Sequence, residues 1–428
     1  MRCTDVAIVG GGLAGSLTAA MLGRAGIPTI VIDPHEHYPF DFRVEKIGNA
    51  LQLARLAETG TAHAVLRSAT HDGENWIARR GHLIDKTPSQ QHGIAYHDLV
   101  NAIRIEAKKH PVETICGKVA GLATGSDRQA VTLSDGGTIS ARLIVLASGM
   151  STRLAHQVGI GRDVLSKCHS ISVGFDIIPV GRPAFEFPAL TYYSETPNDR
   201  TPYITLFPIK QRMRANLFVY REANDPWLAQ MRRDPVATLN GALPNLRKIT
   251  GEFHVAGDVR VRPVDLSVST GYRQAGIVLV GDAFATSCPA AGTGTDKVYT
   301  DVARLCGVYI PTWLKTEGMS ADKIGAYYVD PAKLACDAWS MRKAFHFRRT
   351  TIDPGLYWRA QRLARLAAGS GKGIIRRTLR TMRGLEPQLL NSRWVRSEIA
   401  EPDPARPDPN IGDARPLFPL GPSANAAK

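Results

Sequence analysis

The sequence predicts an α/β fold, α+β overall: a Rossmann-like βαβ domain split by a sheet-rich insertion and followed by a helical C-terminal region. Three observations carry this. A β run at Val6–Val9 leads into Gly10-Gly11-Gly12-Leu13-Ala14-Gly15 and a helical stretch to about Gly23, and a second β run, Thr29–Ile32, ends at Asp33. From about Ser166 to Arg262 the texture changes to alternating β-type runs: ISVGFDII, TYYSE, YITLFPI and ANLFVY. An apolar run at Ile277–Val280 then resumes the first pattern and ends at Gly281-Asp282, and beyond Asp301 the chain reads as mostly helical.

Each element has a local reason. Gly10 permits the tight turn after the first strand, Gly12 lets backbone approach a pyrophosphate, and Gly15 packs the helix on the strand. The helix N-terminus at Leu13-Ala14 offers N–H groups to phosphate. Asp33 stands where a carboxylate can accept from ribose hydroxyls. Residues 95–109 read as helix and 112–122 as strand, with Val119 placed to offer its backbone to an adenine. Asp135-Gly136-Gly137 signals a hairpin, and Leu143–Ala147 is a buried strand ending at Ser148-Gly149. The stretch VLVGDAFATSCPAAGTGTD (278–296) puts one carboxylate, Asp282, after a buried strand, followed by Pro289 and the pair Gly292 and Gly294. Such bare backbone lets a large flat ligand come close. The expected segments are 1–165 and 263–335 for the split domain, 166–262 for the insertion, 336–398 for a basic helical region and 399–428 for a proline-rich disordered tail.

Composition narrows the class. An apolar share of 44% and a charged share of 21% are those of a globular protein. The six cysteines are scattered with no C-x-x-C pair, which argues against a zinc site or disulfide framework and fits a reducing, cytoplasmic setting with no metal. There is no signal-peptide pattern and no apolar run long enough to span a bilayer. Net charge is +14, and residues 341–383 hold twelve Lys or Arg against one acid, Asp353. That local excess suits an acidic protein partner or peripheral contact with an anionic membrane, not specific nucleic-acid binding.

The glycine motif at Gly10–Gly15, the strand ending Ala147-Ser148-Gly149 and the run from Gly281 to Asp296 together resemble the class A flavoprotein monooxygenases. This is the aromatic-hydroxylase-like FAD family, which also includes flavin-dependent halogenases and geranylgeranyl reductases. The resemblance covers roughly residues 1–310. It implies an FAD-binding domain of the glutathione-reductase type with a substrate domain over the flavin, and hydroxylation of an organic substrate through a flavin C4a-hydroperoxide. It further implies that Asp282 accepts from the ribityl chain, that Pro289, Gly292, Thr293, Gly294 and Thr295 lie against the isoalloxazine, and that Arg43 reaches the FAD ribose or phosphate. Phe284-Ala285 replace the usual alanine and histidine, and Asp296 stands where an asparagine is usual.

Ser148 departs from the family's aspartate and brings no charge. Reduction by NAD(P)H is therefore either direct or supplied by a separate flavin reductase. The W-x-W motif of the halogenases is missing, and no lysine lies between Lys46 and Lys86. A halogenase-like enzyme, a double-bond reductase and a partner-docking flavoprotein that modifies a protein- or carrier-bound substrate stay open beside the hydroxylase. Tyr203, Phe207, Arg214 and Tyr220 are the candidates for facing substrate, with Cys288 and Pro289 beside the flavin turn and His92 and His97 near a helix start.

Overall fold

In a computed structural model that describes residues 1–362 and 364, the strand Arg2–Val9 pairs in parallel with Thr29–Asp33 on one side and Thr138–Leu146 on the other. Val6–Ile8 and Leu143–Leu146 are fully buried, as parallel strands covered on both faces require. Val112–Cys116 extends the sheet beyond Thr29–Asp33, and Ile277–Leu279 pairs in parallel with Thr138–Leu146. Gln129–Leu133 and Val119–Ala123 complete it on antiparallel pairings. The hairpin closes at the expected turn, with Leu133 N donating to Gly137 O at 2.8 Å and Gly136 at φ +89°.

A second seven-stranded sheet stands beside the first. Its longest members, Gly161–Pro179 and Phe253–Thr270, pair antiparallel, with register shifts at Val164/Ser166, Ser166/Ser170 and Gly174/Asp176 that bend the ribbon. Arg212–Val219, Tyr203–Ile209 and Ala189–Tyr193 follow in order, and the edge is made by Glu74–Arg79 and His82–Pro88. This corrects the segment boundaries read from sequence in two ways. Residues 74–88, assigned to 1–165, belong to the second sheet, and its long strands start at 161 and run to 270, not from 166 to 262. The parallel pairing of Ala189–Tyr193 with Glu74–Arg79 spans more than a hundred residues, which no local pattern reports.

Helices Pro226–Arg233 and Pro235–Ala242, capped by the carboxylates of Asp225 and Asp234, cover this sheet with Leu228, Met231 and Leu239. A three-stranded sheet (Val44–Ile47, Thr70–His71, His92–Ala95) lies at the junction of the two layers. The C-terminal helices Gly294–Arg304, Ala321–Tyr328 and Pro331–Ile352 close the first layer. Asp330 caps the last of these, and Pro331 occupies its first turn. The proline-rich tail at 399–428 and most of the basic stretch past 362 lie outside the described residues. Among the described residues, no helix is long and apolar enough to cross a membrane.

Candidate functional site

The three sequence motifs meet at the carboxyl ends of adjacent parallel strands, where open α/β sheets place their ligands. Gly10 sits at φ +103°, and a Cβ there would lie 2.5 Å from Ala147 O, so the first motif is pressed against the second. A Cβ at Gly15 would lie 1.9 Å from Gly10 O, so only glycine closes the turn onto its own helix. A Cβ at Gly281 would sit 3.3 Å from Ala14 Cβ, which brings the third motif against the first. Gly12 and Gly292, by contrast, face open space with nothing within 4 Å. Gly292 holds φ +63°, which turns the chain sharply after Pro289–Ala291. The result is a strand-end crevice with bare backbone from the first and third motifs, the place where open α/β sheets bind their ligands.

Around that floor the structure places the nominated side chains individually. Asp33 accepts from Gly11 N at 2.7 Å and from His35 N at 2.9 Å, and Arg104 approaches its Oδ1 at 3.1 Å. Asp282 is half-buried beside the crevice, with no protein hydrogen bond to its carboxylate among the described residues. Val119 turns its carbonyl to Arg153. The Ser148 hydroxyl donates to Ser151 O at 3.1 Å, and Gly149 takes φ +61°. Thr295 Oγ1 accepts from Gln52 Nε2 at 2.6 Å, and Thr293 Oγ1 meets Ser340 Oγ at 2.6 Å. Asp296 is buried and pairs with Arg55 at 2.9 Å.

One wall is a polar cluster from the 38–45 segment. Arg43 donates to Asp41 and to Tyr38 Oη (3.2 Å), and its guanidinium lies 3.8 Å from the Tyr96 ring centroid. Burial works against its charge, yet Asp41 and the two tyrosines hold its pKa above the ordinary value. Glu45, two residues on, is pushed up to about 7, chiefly by burial and then by the nearby Asp282 and Asp41, against the pull of Arg43. This acid escaped the sequence reading. Its strand is four residues long, and the carboxylates around it arrive from positions 41, 282 and 296.

The remaining candidates are held by packing and by protein partners. Cys288 and Tyr220 are fully buried, with the thiol against Ser170 Oγ at 3.4 Å. Tyr203 donates to Ala290 O at 2.7 Å. Phe207 is buried against Ile209, Ala189 and Ala95. Arg214 is held by Asp176 at 3.2 Å and by Phe42 O. His97 lies near Asp41 and Asp98, and the His92 ring lies 4.9 Å from that of His71, tilted by 48°.

Two further features were missed. Arg162 donates to Asp282 O at 2.6 Å and Ala283 O at 3.0 Å, fixing the turn from below. Under the same turn lies a closed square of buried charge. Lys297 reaches Asp301 and Asp337 at 3.1 Å each, and Lys333 reaches Asp301 at 2.8 Å and Asp337 at 3.0 Å. Asp301 Oδ2 also accepts from Gly281 N at 3.2 Å. Burial opposes each charge, but the lysines hold Asp301 below the usual carboxylate range, and the aspartates hold Lys297 above the usual ammonium range. The signal in sequence was the i,i+4 pairs 297/301 and 333/337; nothing local joins one pair to the other.

Residues 3–309 match the FAD binding domain family. The chain belongs to that family. Its cofactor is FAD, and it is an FAD-dependent oxidoreductase of the monooxygenase kind. Over 338 residues it is 26% identical to the 3-demethoxyubiquinol 3-hydroxylase of Escherichia coli K12, covering 72% of this chain and 80% of that protein. In fold it is similar to p-nitrophenol 4-monooxygenase PnpA from Pseudomonas putida DLL-E4, at a TM-score of 0.70 and 17% identity over 89% of this chain and 97% of that one. Aklavinone-11 hydroxylase in complex with FAD and aklavinone aligns at a TM-score of 0.65 and 20% identity, covering 82% and 70% of the two chains. The crevice fits the family's cofactor: open glycine backbone, a helix N-terminus and a free carboxylate at Asp282 supply what pyrophosphate and ribityl hydroxyls need. When bound, FAD supplies the redox chemistry with oxygen, and the chain supplies position, charge and exclusion of water.

Proposed function

We propose that this chain hydroxylates an electron-rich, phenolic or quinol-type ring, with the balance substrate–H + O2 + NAD(P)H + H+ giving substrate–OH + H2O + NAD(P)+. The observation that carries the reading is the meeting of the three motifs: Gly281 lies against Ala14, a side chain at Gly12 or at Gly292 would each meet open space, and Asp282 lies near Glu45 beside the Arg43–Tyr96 pair. The names of the relatives, a demethoxyubiquinol hydroxylase and a nitrophenol monooxygenase, support the substrate class.

In this reading Gly10, Gly12, Leu13, Ala14 and Gly15 present backbone to the pyrophosphate, Asp33 takes the ribose, Asp282 takes the ribityl hydroxyls, and Pro289 with Gly292–Thr295 backs the flavin ring. Arg43 adds positive charge near the phosphates. Glu45, an acid whose pKa lies near neutrality, is placed to give or take a proton at the crevice wall. The uncharged Ser148 favours reductant supplied by a flavin reductase over a built-in nicotinamide site. A partner would read the basic stretch 341–383, but part of that charge is already committed: Arg348 donates to Cys168 O and His169 O, and Arg362 to Thr350 O and Asp353 O. Six free thiols suit a cytoplasmic setting.

Anaerobic mixing of the FAD-loaded protein with NADH or NADPH, in the presence and absence of hydroquinone, tests the route. Absent bleaching under both conditions, with normal reduction by dithionite, is expected for the reductase-fed reading, and fast bleaching would overturn it. Asp282→Leu should raise the FAD dissociation constant about tenfold or more, because several ribityl hydroxyls lose their acceptor. An unchanged constant would remove Asp282 from the site.

A further inference from the structure

A second group of polar side chains lies on the three-stranded sheet, where Lys46 faces Phe207 of the second sheet. Asp72 is 3% exposed, and neither of its carboxylate oxygens has a hydrogen-bond partner among the described residues. Among the described residues, Lys46 is its ion-pair partner, at 3.6 Å from Oδ2, longer than a hydrogen bond. Gln91 Oε1 and His92 Nδ1 are buried and equally unpartnered.

The backbone brings these four together by register. Lys46 pairs with Gly93 and Ile47 with His92; His71 pairs with His92; Asp72 N donates to Gln91 O at 3.0 Å. Burial lowers the pKa of Lys46, partly offset by Asp72, and burial together with His71 lowers that of His92.

Such a group is costly unless something satisfies it. A buried polar atom left without a partner costs about 1–3 kcal/mol, and three acceptor oxygens stand unmet here. Its neighbours tie it to both layers. Lys46 Nζ lies 5.6 Å from the Phe207 ring centroid on the second sheet. Gln91 packs against Gly48, whose N–H donates to Gln52 Oε1 at 3.0 Å, and Gln52 in turn donates to Thr295 in the glycine turn. The unmet set is rich in acceptors, so the ligand it suits is one that brings hydrogen-bond donors.

We infer that Asp72, with Gln91, His92 and Lys46, is a specificity site that accepts the hydroxyl hydrogens of the substrate ring and so selects a phenol or quinol over an ether or ketone of the same shape. This rests on the ring-hydroxylase reading and deepens it. Asp72 is the principal acceptor, with Lys46 3.6 Å away. A site built to hydrogen-bond a hydroxyl discriminates strongly against the analogue that lacks it, because its own buried groups are then left unpaired.

The test is equilibrium binding to the oxidised, FAD-loaded protein without reductant, followed by calorimetry, with hydroquinone and 1,4-dimethoxybenzene as probes. Wild type should bind hydroquinone at least about tenfold more tightly than the diether. Asp72→Asn should shrink that ratio to within about threefold while leaving FAD content unchanged. If Asp72→Asn fails to fold, Gln91→Leu carries the test, with a smaller loss of the same preference. No binding of hydroquinone by wild type, equal binding of the two probes, or an undiminished ratio in a folded variant would overturn the inference. No turnover is involved, so a protein that discriminates between the probes but never oxidises the ring would sink the hydroxylase reading and leave this site standing.

Discussion

The two ends of the 281–295 turn are anchored by opposite chemistry, and the same helix, Pro331–Ile352, serves both. Its first half contributes Lys333 and Asp337 to the charge square beneath Gly281, where Asp301 takes the Gly281 N–H. Its second half contributes Met341, Ala344 and Phe345 to a neutral wall around Cys288, Tyr220 and Ala290. The difference teaches what each kind of support tolerates. Buried charge persists only as a complete set, because each ion's lost hydration is made up by two partners. The neutral wall works by packing, with single polar contacts such as Tyr203 to Ala290 O and His169 to Ala344 O tying it down.

Breaking the charged end should have the largest effect. Lys333→Met leaves two aspartates sharing one lysine and should cost about 3–5 kcal/mol in urea unfolding. Removing Asp337 as well, in Lys333→Met/Asp337→Leu, leaves Lys297 paired with Asp301 and should recover a substantial part of that loss. A double variant as unstable as the single would mean that packing, not charge, decides.

The neutral end is expected to answer to pH. His169 is fully buried, and its pKa is lowered to about 4 by burial and by Arg348, despite the Ala344 carbonyl. A histidine depressed in the fold contributes stability that is complete above its ordinary value near 6.5 and is lost as pH falls toward 4, by about 3 kcal/mol in all. His169→Gln should flatten stability against pH within that window relative to wild type, as urea titrations at half-unit steps would show. An equal slope would place the titration elsewhere. Tyr203→Phe is the mildest perturbation: loss of the bond to Ala290 O should cost about 1 kcal/mol in the same unfolding assay, and a neutral result would mean that the ring alone holds the turn.

The contrast also marks what the sequence could disclose. The crevice was legible because its demands are local: Gly10 needs φ +103°, Gly15 has no room for a Cβ, and both needs recur at spacings that a reader can see. The parallel strands were legible because burial on two faces leaves continuous apolar runs such as Leu143–Leu146. Residues 74–88 were not, because ENWIAR and HLIDKTP are half-buried strands whose partner lies at 189–193. The aromatic candidates Tyr220 and Phe207 look alike in sequence whether they face a pocket or a core; the structure places both in core clusters. Arg162 and Glu45 act through partners far along the chain, and of the Lys297–Asp337 square spacing shows only the two i,i+4 pairs, not their union.

The most direct test of the account is isotopic. With FAD, a reductant supply and a hydroquinone-type ring, the reaction would be run under 18O2 in ordinary water, and the product ring examined by mass spectrometry. The account predicts one 18O atom per new hydroxyl. A hydroxyl that carries only the oxygen of water, or a ring reduced or dehydrogenated without oxygen gain, would contradict it.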